Sequence, residues 1–253
     1  MPAANLAYLV VLEARRGGLP WLAGAAIVLS VGLAAFLSRI ALTEGALVQA
    51  SAVAASLRLC AAFLIAAHVA SSVLREVNDK GLELFLALPL ARPVQYLGRL
   101  AGFVACGLAL AAAFALPLLA WAPPAAVALW GLSLALELAL IAAAALFFAL
   151  ALSQLVPAIA ATAGFYFLAR SIGAMQAIAT GPLAVPSART EFARWTVDLV
   201  ALLVPRLDQA TQTAWLLYGT PEPRAYLTGL AGMLIYTLLL TAAGLFDFQR
   251  RSL

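Results

Sequence analysis

Long apolar stretches separated by short polar ones dominate the pattern of this chain. A helix needs about 20 apolar residues to cross the ~30 Å hydrocarbon core of a bilayer. Six stretches meet that requirement, at about residues 19–38, 47–73, 101–121, 125–152, 156–175 and 226–246. None of them alternates as a barrel strand does, so helices are the structure that would satisfy their backbone hydrogen bonds in lipid. The pattern predicts an all-α integral membrane protein with six transmembrane helices, in which residues 1–253 form a single transmembrane domain.

Two regions outside these spans have helical patterns of their own. Residues 3–16 combine large apolar side chains with charged ones, as in a helix that lies along a membrane surface. The connection from about 176 to 225 is too long for a simple turn. Its apolar run 192–204 is too short to span a bilayer, and Asp208 is a candidate N-cap for a second piece. We therefore expect an N-terminal interfacial helix and two short external helices between spans 5 and 6.

The composition agrees with a membrane protein. The chain is 65% hydrophobic and 10% charged, whereas a soluble domain has about 25% charged residues. A net charge of +4 with scattered arginines does not indicate a nucleic-acid surface. Cys60 and Cys106 lie within apolar spans, which favours core residues over a disulfide. Basic residues follow the first apolar run instead of preceding it, so no cleaved signal peptide is predicted there.

Basic residues predict the orientation, because short cytoplasmic loops are enriched in Lys and Arg. Placing both termini in the cytoplasm puts eight basic residues inside, namely Arg15, Arg16, Arg75, Lys80, Arg92, Arg99, Arg250 and Arg251. The opposite side then holds Arg39, Arg189, Arg194, Arg206 and Arg224, with Arg170 near the outer end of the fifth span. Most of these lie in one long connection, where the rule is weakest. We expect a multi-pass protein of the bacterial inner membrane with both termini cytoplasmic.

Three ionisable residues lie inside the predicted spans. Arg58 is in the second span and Glu137 is near the middle of the fourth. A charge at that depth is costly, so each must face the protein interior or water. The two residues either pair with each other as a structural tie or form a substrate or gating contact. His68, nearer the inner face, is interpreted as a structural histidine more readily than as a proton relay.

The motifs of several classes of enzyme are missing. The Lys80-Gly81 pair has no preceding glycines, so the chain has no phosphate-binding P-loop. A single histidine excludes an H-E-x-x-H metal site, and no G-x-S-x-G nucleophile motif occurs. We expect a non-catalytic membrane subunit with no catalytic residues, no metal site and no cofactor of its own.

A charged island follows the second span. Seven charged residues fall between Arg75 and Arg99, and an apolar block from Leu82 to Leu88, broken by Glu83, follows Gly81 and ends at Pro89. A loop without a partner has little reason to expose so many large apolar side chains. The pattern favours a docking element over a helix in the inner leaflet, because its acidic residues fit poorly beside anionic lipids.

Three stretches together carry a family resemblance. They are Glu76-Val-Asn-Asp-Lys-Gly-Leu-Glu-Leu-Phe-Leu-Ala-Leu-Pro-Leu-Ala-Arg92, Leu202-Leu-Val-Pro-Arg-Leu-Asp208 with Trp215-Leu-Leu-Tyr-Gly219, and Gly244-Leu-Phe-Asp-Phe-Gln-Arg-Arg-Ser-Leu253. With the spans in place, the chain resembles the type-2 ABC exporter permeases, the membrane subunits of ATP-driven efflux systems. It is most similar to their multicopper-enzyme-maturation subgroup, which includes the permease of nitrous-oxide reductase assembly. The family's Gly-Thr-Leu-Glu is Gly81-Leu82-Glu83 here, one residue shorter.

The resemblance implies that the 75–93 loop holds a cytoplasmic coupling helix that docks on a separate ATPase subunit. Its coupling residues would be Glu76, Asp79, Gly81, Leu82, Glu83, Leu84, Phe85, Leu86 and Pro89. Gly81 would permit the turn into the helix and Pro89 would end it. Two copies of the ATPase would bind ATP and Mg, and a second permease copy, identical or homologous, would complete a path through the membrane. The apolar faces of the second and fifth spans would line that path, so lipid or another hydrophobic compound is the cargo that we expect. An alternative is a subunit that transmits ATP-driven motion to an extracytoplasmic protein during its maturation, without transport of a small molecule.

Overall fold

The computed structural model describes residues 2–40, 45–78, 91–181, 188–217, 219 and 222–250, and the regular structure in them is helical throughout. The helices are α1 (Pro2–Arg16), α2 (Leu19–Ile40), α3 (Gly45–Asn78), α4 (Arg92–Ala115), α5 (Pro124–Leu152), α6 (Leu155–Thr180), α7 (Ala188–Leu203), α8 (Leu207–Ala210), α9 (Ala214–Leu217) and α10 (Pro223–Arg250). Six of these, α2 to α6 and α10, are long and apolar enough to cross a membrane. For the described residues, the prediction of an all-α chain with six helices long and apolar enough to cross a membrane is confirmed.

The helices extend beyond the apolar stretches that predicted them. The 34 residues of α3 form a helix about 51 Å long, which exceeds the hydrocarbon thickness. Helix α4 begins at Arg92 rather than near residue 101. Its first turn contains a proline, whose missing N–H is tolerated there because the first N–H groups of a helix have no intrahelical partner. Apolar residues predict only the part of a helix that would lie in lipid. The polar ends of α3 and α4 continue as helix beyond that part.

Helix α5 is the centre of the bundle. Within its most apolar stretch, 78% of the residues are buried, compared with 22% in α2 and 17% in α10. It packs against α3, α4, α6 and α10. Four consecutive alanines, Ala142 to Ala145, are fully buried, and their small side chains let the neighbouring helices approach closely. Any polar group on α5 must therefore find its partner inside the protein.

The N-terminal helix α1 packs along α4. A Cβ added at Gly98 would lie 3.1 Å from the Ala3 carbonyl oxygen, and one added at Gly102 would lie 2.6 Å from the Cβ of Val10. The G-x-x-x-G spacing of α4 could serve either packing within the chain or dimerisation. In the structure it lets the backbones of α1 and α4 meet, so it serves packing within the chain.

The connection between α6 and α10 differs from the sequence-based expectation. Its first helix, α7, was expected over 192–204 and covers Ala188–Leu203. A single second helix beginning at Asp208 was wrong, because two four-residue helices, α8 and α9, occupy that region. Asp208 lies in the first turn of α8, and Arg206 holds the N-cap position without a side-chain cap. The chain bends here because Leu207 and Ala210 are buried, and α8 packs against both α6 and α10.

Candidate functional site

Arg58 and Glu137 meet in the interior of the bundle. The Nη1 atom of Arg58 on α3 donates to Oε2 of Glu137 on α5 at 2.5 Å, and the two side chains are 1% and 0% exposed. Arg58 also donates from Nη2 to the Ser133 hydroxyl at 3.3 Å, and its guanidinium carbon lies 5.0 Å from the centroid of the Trp130 ring. The two residues therefore pair across α3 and α5, as the first of the two sequence-based alternatives predicts.

A third charged residue, Arg170 of α6, joins this pair. Its Nη1 atom lies 3.6 Å from Oε1 of Glu137 and donates to the Thr211 hydroxyl at 2.5 Å. Thr211 follows α8 and is fully buried. We call these residues (Arg58, Ser133, Glu137, Arg170 and Thr211) the polar cluster. It connects α3, α5 and α6 with the connection that precedes α10.

Sequence reasoning placed Arg170 at the outer end of a span and did not connect it with Glu137. The usable signal was the number of charges: a carboxylate near the middle of a span can accept hydrogen bonds from more than one arginine, because its two oxygens offer about four acceptor sites. Tyr166, one helical turn before Arg170, is also buried and faces the same side of α6.

The charges of the polar cluster do not cancel. Glu137 supplies one negative charge, whereas Arg58 and Arg170 supply two positive ones. Arg58 and Glu137 together are neutral. The remaining positive charge is that of Arg170, whose side chain is 31% exposed. Charges removed from water are tolerated when they are paired and hydrogen-bonded. This geometry fits a structural link between packed helices. The polar cluster contains neither a pair of carboxylates nor a nucleophile beside a base.

His68 lies apart from the polar cluster. It is ten residues beyond Arg58 on α3, about 15 Å along the helix. Its ring packs edge-on against Phe103 of α4, with the centroids 5.8 Å apart. Its Nε2 atom has no hydrogen-bond partner among the described residues. Within the part of the chain that the structure covers, no group of three or more His, Cys, Asp or Glu residues could hold a metal ion.

The charged residues at the end of α3 are paired within the chain. Oε2 of Glu76 forms an ion pair with Nη2 of Arg99 at 2.5 Å. One residue earlier, Nη1 of Arg75 lies 3.7 Å from Oε1 of Glu13. The Ser72 hydroxyl donates to the other oxygen of that carboxylate, Oε2, at 2.8 Å. These contacts bring the ends of α1 and α3 and the start of α4 together. They position both helices that flank the predicted coupling loop.

Of the predicted coupling residues, the structure places Glu76. The other eight (Asp79, Gly81, Leu82, Glu83, Leu84, Phe85, Leu86 and Pro89) and the coupling helix itself lie outside the described residues. Glu76 sits in the last turn of α3 with its carboxylate already engaged by Arg99.

A cleft of ≈ 590 Å³ lies at the other end of the bundle, between the 201–215 segment and α10. Its lining combines aromatic and apolar residues such as Trp215 and Met233 with the polar side chains of Arg206, Gln212 and Glu222. Sequence reasoning singled out this connection and did not predict a cleft in it.

Comparison with known protein families and with curated proteins finds no match for this chain.

Proposed function

We propose that the chain is the permease subunit of an ATP-driven ABC exporter, which forms a membrane path as a dimer and is coupled to separate ATPase subunits through the 75–93 loop. The observation that carries the proposal is the loop itself. It has the acidic, Gly, Leu-Glu-Leu, Leu-Pro and basic pattern typical of that family, from Glu76 to Arg92, between two long helices that could span a membrane. The sequence supports this proposal, and the structure describes the two helices that the loop joins.

The helices that flank the loop suit a role in transmitting motion. Helix α3 ends at Asn78 and α4 begins at Arg92, and the Glu76–Arg99 ion pair joins them next to the loop. Ordered helices of this length move as rigid bodies more readily than they bend. A displacement of the loop by a docked ATPase would thus reach the interior of the bundle through α3 and α4.

The polar cluster favours a second candidate function, a subunit that transmits ATP-driven motion to an extracytoplasmic protein. Helix α3 carries Arg58, which contacts Glu137, and Glu137 contacts Arg170, which holds Thr211 beside the 207–210 helix. This is a continuous series of contacts from α3 to the connection that borders the 590 Å³ cleft.

Purification of the tagged chain from its native membranes tests the shared part of both functions. We expect a P-loop ATPase to co-purify, and its absence together with no ATP hydrolysis would contradict both. Reconstitution of that complex into sealed vesicles separates them. ATP-dependent movement of a hydrophobic compound supports the exporter, whereas an ATP-responsive complex with an extracytoplasmic protein, and no movement of any tested compound, supports transmission.

Substitutions in the loop test where the ATPase docks. Glu83→Arg should weaken ATPase binding about tenfold, the effect of roughly 1.4 kcal/mol, because it places a positive charge where we propose that an acidic side chain meets basic residues of the partner. Gly81→Pro should leave the ATPase bound and uncouple ATP hydrolysis from function, because it removes the conformational freedom of the turn. The measurements are pull-down of the ATPase and its hydrolysis rate in the complex.

A matched control is Glu191→Arg, the same charge reversal on exposed α7, which should change neither quantity. Unchanged binding in Glu83→Arg and unchanged coupling in Gly81→Pro would remove the assignment of this loop.

A further inference from the structure

A second, smaller groove lies between α1, α2 and α4. Its volume is ≈ 190 Å³, and its wall on α4 includes Ala105, Ala109 and Ala113, which repeat every four residues, beside Cys106 and Leu110. This stripe runs about 12 Å along the helix axis. Leu19 and Pro20 of α2 form part of the opposite wall. Because three of the α4 residues that line it are alanines, an open apolar groove remains between the three helices, and no side chain of the described residues fills it.

The lining of this groove includes one charged residue, Arg15, in the last turn of α1. Arg15 is exposed, and among the described residues it makes no ion pair. The basic residues Arg75 and Arg99 at the same end of the bundle are paired with Glu13 and Glu76. The apolar slot therefore meets an unneutralised guanidinium where α1 ends.

We propose that this groove is a binding site for one anionic phospholipid. One acyl chain lies along the alanine stripe of α4, and the phosphate group bonds to Arg15. A guanidinium presents a fork of donors that matches phosphate oxygens, and basic residues at a membrane surface attract anionic lipid. The amphipathic α1, with apolar residues buried against α4 and arginines at its end, has the composition of a helix at that surface.

The site is independent of the proposed function, since it requires only that the helices lie in a membrane. It differs from the general lipid surroundings in two respects. The slot is concave and bordered by three helices, so it retains one chain, and the charge at its mouth selects the headgroup. Selectivity between headgroups of equal acyl composition is thus the property that distinguishes this site from the exposed faces of α2 and α10.

Native mass spectrometry of the purified full-length chain, with phosphatidylglycerol and phosphatidylcholine of identical acyl chains, tests the proposal. We expect one lipid to be retained per chain, with at least about tenfold preference for phosphatidylglycerol, the effect of roughly 1.4 kcal/mol. Arg15→Gln should abolish the preference, and Arg16→Gln, next to it in the sequence but outside the groove lining, should keep it. Equal retention of both lipids by the unmodified chain would overturn the proposal.

The acyl-chain part of the site has its own pair of variants. Ala109→Leu fills the slot and should reduce retention of both lipids about tenfold, whereas Ala112→Leu adds the same side chain to an exposed position of α4 that does not line the groove and should leave retention unchanged. Thermal unfolding of all four variants shows whether each is folded. Retention unaffected by Ala109→Leu, loss of preference in Arg16→Gln equal to that in Arg15→Gln, or displacement of the lipid by inorganic phosphate would each overturn the assignment.

Discussion

The Arg58–Glu137 pair shows what a single polar residue costs at the centre of this bundle. Both side chains are fully enclosed, so each has lost its hydration and depends on the other for compensation. Replacing both by apolar residues of similar size is often neutral or stabilising in proteins, whereas removing one leaves an uncompensated buried charge. The pair is therefore best understood through the difference between single and double substitutions.

We expect Glu137→Gln to destabilise the protein by about 3–5 kcal/mol. The positive charges of Arg58 and Arg170 would then face each other without the carboxylate between them. The double variant Arg58→Met/Glu137→Leu should recover most of that loss, because it removes the buried charges together. Reversible unfolding of the purified protein in detergent measures both.

Ser133→Ala is the matched control for this cluster. It removes a long hydrogen bond of 3.3 Å from the same guanidinium but leaves the ion pair intact. A hydrogen bond to a charged group contributes about 1.5–3 kcal/mol, so the loss of stability should be smaller than in Glu137→Gln. A double variant no more stable than Glu137→Gln would contradict the account of the pair as two buried charges that compensate each other.

At the scale of elements, glycines of α6 and α10 let the region around α8 pack closely against both helices. A Cβ added at Gly229 of α10 would lie 2.9 Å from the Cα of Ala210. That contact involves backbone, which cannot rotate away as a side chain can. In α6, a Cβ at Gly173 would meet the carboxylate of Asp208. The α8 region is thus held between two helices at positions that lack side chains.

Gly229→Ala should lower stability by about 1–3 kcal/mol, the usual cost of overpacking, and displace the 207–211 segment. Gly232→Ala, three residues later on the same helix, meets nothing within 4 Å. It should raise stability by up to about 1 kcal/mol, the helix preference for alanine over glycine. Thermal unfolding, together with the protease sensitivity of the 207–211 segment, distinguishes the two. Equal effects of both substitutions would contradict the close packing of Ala210 on α10.

The elements themselves were largely predictable, and their contacts were not. Each apolar stretch is long enough to fix a helix, because a bilayer leaves few other ways to satisfy the backbone. Gly98 and Gly102 also predicted a close approach. Sequence could not tell that α1 would be the partner, since that contact joins residues about 90 positions apart in the chain. Likewise, Thr211 became part of the polar cluster through the fold alone, because its own neighbourhood has no signal for Arg170.

At the scale of the whole molecule, polar contacts define two ends. Among the described residues, the contacts at the first end include those between Glu13 and Arg75, between Glu76 and Arg99, and from Arg92 to the Gln249 carbonyl oxygen. Those at the second end include the hydrogen bond from Trp121 to Gln49 at 3.0 Å. Successive long helices run in opposite directions between these two ends. The C-termini of α1 and α10, and the two helix ends that the predicted coupling loop joins, therefore lie at the end of the bundle that is rich in basic residues.

The proposed orientation predicts which compartment each end reaches. In a chain without its native cysteines (Cys60→Ser/Cys106→Ser), single substitutions at the exposed residues Gln154, Thr196 and Gln249 report on the two ends. In intact bacterial cells, a maleimide that cannot cross the membrane should label Thr196→Cys. It should label Gln154→Cys and Gln249→Cys only after permeabilisation, because the basic end remains in the cytoplasm. The reverse pattern would place the 75–93 loop in the compartment without ATP and would end the coupling proposal.

Labelling of Gln154→Cys and Thr196→Cys from the same side would mean that α6 does not cross the membrane. The contacts of the polar cluster would then not connect the two sides of the membrane.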